Sequence, residues 1–543
     1  MTRLTQFSLS AALMAIAGLV AIGYGQDVNW DLQNYHYYIP WAWAHDRTFG
    51  PDIAPAQLQT YFNPLLDLPF YAMVRADWDP RLVTFAIALP AGIGAFVLLK
   101  ILLLLFADLP VAARRMAVGT AFVIGVTGAA GRAMLGSTMN EWPGAMATMV
   151  ALWLLLRALA TDAARPIPAT ALGASGLLVG LASGLKLTVA AYAVGLCAAI
   201  LLRQPWREPR IVLRLRETAA FGVAALIGLA ASYGTWGYGL WRRFANPFFP
   251  HWDGFFRSPW WAPPNVAQNT FGLKSSWDWL RLPYLLTGDQ PMVFAEVKFL
   301  DLRLPILMAL AAAALLAWGW RRAGRRRRAA PIAGEAPAPR AATGALFAFA
   351  GIFWLASFVA WYAKFGVYRY LIPCELLAGA FMVALLLRLA PARHALAAAL
   401  VVAVALLATT RPPDWGHIAY GPRWFITKAP PLAPGALVVI TTYEPVGWVI
   451  PFFQEDARFV GAGNNIVSPR RKSKLSDAAA AEIAGHAGPL YALTYPADFG
   501  RKILDAHRLA PVPGTCREIS ANMPASPLQL CELRRTDGAA AVP

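Results

Sequence analysis

The chain has 543 residues, of which 58% are hydrophobic and only 14% charged, with a formal net charge of +18. A soluble globular chain carries about 25% charged residues, so a soluble enzyme is excluded. The excess arginines sit in short loops between apolar runs rather than on one exposed face, which excludes a nucleic-acid-binding protein.

Eleven apolar runs are predicted as membrane-spanning helices: 8–24, 82–106, 116–134, 143–160, 168–184, 187–202, 218–236, 303–320, 343–361, 371–388 and 394–410. Their lengths are close to the roughly 17–25 residues that cross a bilayer. The first run is longer than the apolar core of a signal peptide and no A-x-A site follows it, so it reads as a retained span. With the N-terminus cytoplasmic, the intervening cytoplasmic loops hold Arg114 and Arg115, Arg165, the group Arg203, Arg207, Arg210, Arg214 and Arg216, the run Arg321, Arg322 and Arg325 to Arg328, and Arg393. All strong basic clusters then share one side, as the positive-inside rule requires. The expected setting is a bacterial inner membrane.

The loop after the first span, 25–81, is predicted to lie outside and carries Asp27, Asp31, Asp46, Asp52, Asp67, Asp77 and Asp79. Two short helices along the membrane are expected over about 29–45 and 62–75, with Phe49-Gly50-Pro51 turning the chain between them. If 27–38 is helical, Asp27, Asp31, Tyr35 and Tyr38 share one face. A second outer loop, 237–302, holds Asn246-Pro247-Phe248-Phe249-Pro250-His251-Trp252 and Trp260-Trp261-Ala262-Pro263-Pro264, an interfacial aromatic density. Residues 1–410 thus form the membrane domain. Residues 411–543 change character, with strand-like runs at 436–440 and 489–493, and read as a small periplasmic α/β domain. Cys516 and Cys531 near its end would permit a disulfide in an oxidising compartment.

Several residues could carry chemistry. Asp31 is the leading carboxylate, while Asp27, placed before the aromatic run, also fits a helix N-cap. Tyr35, His36 and Tyr38 are candidate substrate contacts beside them. Asn140 and Glu141 open the fourth span, where the acid is either a helix-start charge or part of a cavity lining. Lys186 is either a functional intramembrane charge or a turn residue snorkelling to water. Tyr368 and Arg369 open the tenth span, and the planar guanidinium suits a phosphate or diphosphate. Arg257, Lys274 and Lys364 are weaker candidates for that task. No Walker loop, H-E-x-x-H, CxxC pair or G-x-S-x-G elbow is present, and the scattered histidines argue against a His-built metal site.

Asp31-Leu32-Gln33-Asn34-Tyr35 in a large loop after a single span resembles the GT-C superfamily of integral-membrane glycosyltransferases. It is similar to the first-loop acidic motif of the bacterial mannosyltransferase-like and arabinosyltransferase-like members. The Asn246–Pro250 and Tyr368–Pro373 segments also look like bacterial GT-C-type proteins. The resemblance implies transfer of a sugar from a polyprenyl-phosphate-linked donor to a lipid, glycan or protein acceptor at the outer face. Asp31 would be the base and Arg369 the phosphate clamp, with the C-terminal domain positioning the acceptor. Many relatives carry Asp-Glu or Asp-x-Asp where this chain separates Asp27 from Asp31. An aspartate pair could hold Mg2+ or Mn2+ through oxygen ligands, whereas a single aspartate base needs no cofactor. A flippase or transporter of lipid-linked sugars, and an O-antigen-type ligase or polymerase, are the alternatives.

Overall fold

The computed structural model describes residues 2–162, 165–203, 210–261, 271–326, 341–496, 500–523 and 527–536. Arg207, Arg327, Arg328 and Ala262-Pro263-Pro264 lie outside the described residues. Within them the chain is a polytopic helical membrane protein with a C-terminal α/β domain. All eleven predicted runs are helical: α1 (Arg3–Tyr24), α2 (Pro80–Leu105), α3 (Val111–Val126), α4 (Glu141–Leu159), α5 (Ala169–Leu185), α6 (Ala190–Leu202), α7 (Ile211–Phe244), α8 (Arg303–Arg326), α9 (Ala341–Lys364), α10 (Ile372–Leu389) and α11 (Ala392–Thr409). Eight are long and apolar enough to cross a membrane; α3, α5 and α6, with 16, 17 and 13 residues, are shorter.

Local chemistry sets where these helices start and how they pack. Asp79 caps α2, accepting from the Arg81 amide at 2.7 Å, and Pro80 begins the helix where no amide bond is lost. Helices α5 and α7 meet through small residues. A Cβ on Gly180 would lie 2.0 Å from the Ala225 carbonyl oxygen, and one on Gly228 would lie 2.3 Å from that of Leu177. Glycine is therefore required for backbones to approach this closely. The contact fixes the C-terminal end of α5, and Lys186 follows directly. At 34 residues α7 spans about 51 Å, so part of it extends past a bilayer core of roughly 30 Å.

The C-terminal sheet has the order β3-β8-β9-β6-β4-β5, with β7 also pairing β9. The strands are β3 (Thr427–Lys428), β4 (Leu437–Ile440), β5 (Arg458–Gly461), β6 (Leu490–Thr494), β7 (Leu509–Pro511), β8 (Arg517–Ala521) and β9 (Leu528–Arg535). Two of them, β4 and β6, occupy the predicted strand runs. Strand β4 is parallel to both β5 and β6 and all four of its residues are buried, as expected for a parallel strand covered on both faces. The antiparallel register Arg517↔Leu530 sets position 516 beside 531, and Cys516 and Cys531 are joined as a disulfide.

One face of this sheet covers the first loop and the other covers the end of α7. Val438, Ile440, Tyr491 and Leu493 share a core with Val28, Leu32, Tyr35 and Tyr38. Leu437, Val439 and Ala492 share another with Tyr61, Tyr233, Trp236 and Phe244. The loop also joins by backbone: Gln26 and Asp27 (β1) pair with His417 and Ile418 (β2), and Ile53 bridges to Val460 at the sheet edge. Arg47 forks onto Asp52 at 2.7 and 2.8 Å and donates to the carbonyls of Glu455 and Ala457, while Asp52 accepts from Tyr38 and from the Phe459 amide. Burial pushes the Asp52 carboxyl up against the opposing pull of Arg47.

The expectation that Asp27, Asp31, Tyr35 and Tyr38 share one helical face is corrected. Asp27 lies in β1, and Leu32–His36 is a π-helix whose wider turn breaks the four-residue spacing before a regular helix resumes at Tyr38–Ala44. Tyr38 turns to Asp52 and joins the junction with the C-terminal domain.

Two stability predictions follow from these contacts. Asp52→Ala strands a buried guanidinium and should cost about 3–5 kcal/mol, read as a lowered Tm with early proteolysis of the C-terminal domain. His251, ring to ring with Phe62 at 5.7 Å, is pushed by burial down to about 4. An unfolded histidine titrates near 6.5, so the folded state binds fewer protons from about pH 6.5 down to about pH 4. Stability contributed by neutral His251 is therefore lost as pH falls through that window, and the Tm drop from pH 7.5 to 5 should shrink in His251→Gln.

Candidate functional site

The short 3-10 turn Tyr368–Leu371 delivers Arg369 to the mouth of α10, where its side chain is 11% exposed. One terminal nitrogen donates to Asp31 at 3.0 Å. Its Nε faces Glu141 at 3.6 Å, and Glu296 lies at 4.0 Å. The guanidinium also sits over the rings of Tyr370 and Trp415, at 5.4 and 5.7 Å, and contacts the Met139 sulfur at 3.2 Å. Trp415 donates to Glu296 at 3.0 Å, closing that side.

Lys186 completes the cluster. The tight turn between α5 and α6 points its ammonium at Glu141, 2.5 Å away, and at the Met139 carbonyl, 2.6 Å away. It lies 5.6 Å from the Tyr370 ring, whose backbone carbonyl accepts from Tyr192. The inner four charges balance, two carboxylates against two cations, while Glu296 is more exposed at the rim. Asp31, Glu141, Lys186 and Arg369, far apart along the chain, thus meet in one place.

A second network adjoins it. Asp67 Oδ1 accepts from Asn140 at 2.6 Å and pairs with His36 Nδ1 at 2.7 Å. Asn140 holds φ 59°, a left-handed conformation asparagine tolerates, one residue before Glu141. With Nδ1 facing a carboxylate, the proton belongs on Nδ1, and the buried Nε2 has no partner among the described residues. The Tyr35 ring lies 4.0 Å from the His36 ring, and burial, followed by the charges of Asp31 and Asp67, holds its hydroxyl well above the usual tyrosine range. Tyr35 therefore stays a proton donor. The π-helix links the two networks, with Asp31 immediately before it and His36 as its last residue.

The other expectations fall elsewhere. Asp27 accepts five hydrogen bonds: Oδ1 takes the Asn29 amide, while Oδ2 takes the Asn29 side chain, Ser137 and Thr138 twice, which ties the loop to the 136–140 turn. Tyr368 donates to Glu375, away from Arg369's partners. Arg257, Lys274 and Lys364 are exposed, and none takes part in the cluster's ion pairs. Met139, Glu296, Trp415 and Asp67 were missed by sequence reasoning. Each is a common residue in a loop or turn, and only its meeting with chain-distant partners marks it out. Among the described residues no group of three or more His, Cys, Asp or Glu side chains could hold a metal ion. Asp31 and Glu141 face cations at 2.5–3.0 Å, a donor set that does not fit a divalent ion.

No protein-family model matches the chain, and no curated protein matches it. Among solved structures it is similar to the crystal structure of the Archaeoglobus fulgidus oligosaccharyltransferase tethered with an acceptor peptide containing the NVT sequon via a disulfide bond. The identity is 13% and the TM-score 0.41, over 90% of this chain and 69% of that one. A likeness this distant decides neither family nor activity.

Glu141 is the carboxylate shared by both cations. Glu141→Ala should leave two buried charges short of a partner and cost about 3–5 kcal/mol, seen as a large fall in Tm. Adding Lys186→Met should recover part of that loss, because the stranded ammonium is then gone.

Proposed function

We propose that the protein is an integral-membrane glycosyltransferase of the GT-C kind, using a polyprenyl-phosphate-linked sugar at the outer face of the inner membrane. The observation that carries this reading is the 3.0 Å pairing of Asp31 with Arg369 at the mouth of a span, backed by Lys186 and Glu141. A carboxylate and a phosphate-binding guanidinium are the two groups the transfer needs, and here they touch. The resemblance of the Asp31–Tyr35 stretch to GT-C first loops supports the same assignment.

In this mechanism Asp31 takes the proton from an acceptor hydroxyl as its oxygen attacks the anomeric carbon. The bond from that carbon to the donor's phosphate oxygen breaks, and its electron pair leaves with the phosphate. Arg369, with Lys186 beside it, stabilises the charge that develops there. Without ligand the guanidinium holds Asp31. An arriving phosphate competes for it, which frees the carboxylate to act as a base only when donor is present. The lipid tail stays in the bilayer while the sugar meets the acceptor. The C-terminal domain, sharing a core with the first loop, would bound the acceptor side.

The test is sugar transfer by purified protein in lipid, across a panel of radiolabelled polyprenyl-phosphate sugars. Asp31→Asn should lower turnover about 10²–10⁴-fold with donor binding retained, as expected for loss of a general base. Arg369→Gln should lower both turnover and donor binding. Full activity in Asp31→Asn would overturn the assignment of the base. Movement of lipid-linked sugar across the bilayer without transfer would turn the reading to a flippase.

A further inference from the structure

A second charged feature lies apart from the Arg369 cluster, at the C-terminal end of α7. Arg243 sits over the ring of Trp260 at 4.7 Å, and Lys474 approaches the same ring at 4.8 Å. Arg471 lies 4.7 Å from the neighbouring ring of Trp261. Three cations from two distant parts of the chain are thus gathered on two adjacent tryptophans. Arg242, Arg470 and Lys472 stand next to them in sequence and are exposed.

No carboxylate among the described residues pairs with these cations. Among the described residues none of the six cations lies within 4.0 Å of an acidic oxygen, whereas Arg47, Arg203, Arg303 and Arg369 all do. The acids on neighbouring elements are otherwise used or turned away. Asp52 is held by Arg47, and Asp253 is buried, accepting from the Ser258 amide. Asp477, in the first turn of the helix Lys474–Gly485, is exposed to solvent. Cation–π contact attracts a cation to a ring without neutralising it, so the site keeps its positive field. The rings also hold the long side chains in place, which reduces the ordering cost of meeting an anion.

The surroundings say which anion. Tyr238 and Trp241, four residues and one residue before Arg242, are 57% and 54% exposed, and Trp252 and Phe255 are 51% and 82% exposed. Large exposed aromatics at the end of a spanning helix mark the level of lipid headgroups. An open apolar groove of about 360 Å³, walled in part by Leu229, Tyr233, Tyr238, Trp241 and Phe248, runs along α7 at this end. Arg242 follows Tyr238 by four residues, so the two are neighbours on the helix surface. A cationic cluster, exposed aromatics and an apolar groove thus meet around the C-terminal end of α7.

We propose that Arg243, Arg471 and Lys474 on Trp260 and Trp261 form a binding site for the phosphate headgroup of an anionic membrane lipid. The site presses the C-terminal domain onto the bilayer surface beside α7. This inference does not depend on the proposed transferase activity.

The test titrates dioctanoyl phosphatidylglycerol, dioctanoyl phosphatidylcholine and inorganic phosphate against the full chain in neutral detergent, with bound lipid counted by native mass spectrometry. Phosphatidylglycerol should bind at least ten-fold more tightly than phosphatidylcholine. The triple variant Arg243→Gln, Arg471→Gln, Lys474→Gln should weaken it at least five-fold, and Arg517→Gln with Arg534→Gln should leave it unchanged. If the triple variant does not fold, Arg470→Gln with Lys472→Gln, which disturbs no ring contact, should weaken it about two-fold. Equal binding of the two lipids, or unchanged binding in whichever variant folds, would overturn the proposal. Displacement by inorganic phosphate as effective as by phosphatidylglycerol would assign the site to a soluble anion and overturn the lipid.

Discussion

Arg369 is a guanidinium held at the mouth of a membrane span with only a small part of it in water. Withdrawing such a charge from solvent costs several kcal/mol unless carboxylates and rings surround it. Meeting that requirement draws five segments together. Asp31 comes from the first loop, Glu141 from the start of α4, Glu296 from the loop before α8, Trp415 from the chain after α11, and Tyr370 from its own turn. Lys186 enters because Glu141 would otherwise face Arg369 with one side open. The candidate site is thus the set of partners that lets one arginine stay at the mouth of a span.

The scaffold holds those partners by means that are mostly apolar. Close glycine contacts between α5 and α7 set the height of Lys186. The sheet shares a core with the first loop, and Ile53 extends its edge by one bridge, so the loop that carries Asp31 is tied to the C-terminal domain as well as to the bundle. Asp27 ties that loop in turn to the 136–140 segment, which leads into Asn140 and Glu141. A shift of the C-terminal domain would therefore be felt at Asp31. That gives the domain a mechanical route to the site without requiring any residue of the sheet to enter it.

Much of this was legible in the sequence, and the reason differs from part to part. The helices were readable because an apolar run of this length has few alternatives to a helix in a membrane. Asp31, Glu141, Lys186 and Arg369 could be named because an ionisable group at a span mouth is costly and so conspicuous. Their meeting was not readable, since nothing in the intervening chain encodes which span mouths are neighbours. The shared face of Asp27, Asp31, Tyr35 and Tyr38 failed because a π-helix and a two-residue strand replaced regular helix. Tyr38 went to the domain junction because Asp52 offered its hydroxyl an acceptor there. Glu296 and Trp415 carried no signal of their own, being an acid and an aromatic in segments rich in loops.

The central claim is that phosphate and Asp31 compete for one guanidinium. An experimentally determined structure of the protein in nanodiscs with decaprenyl phosphate tests it most directly. The account predicts the phosphate within about 3 Å of the Arg369 guanidinium, with Lys186 turned toward it and the Asp31 carboxylate released. A phosphate bound elsewhere, with the Asp31–Arg369 pair intact, would contradict it.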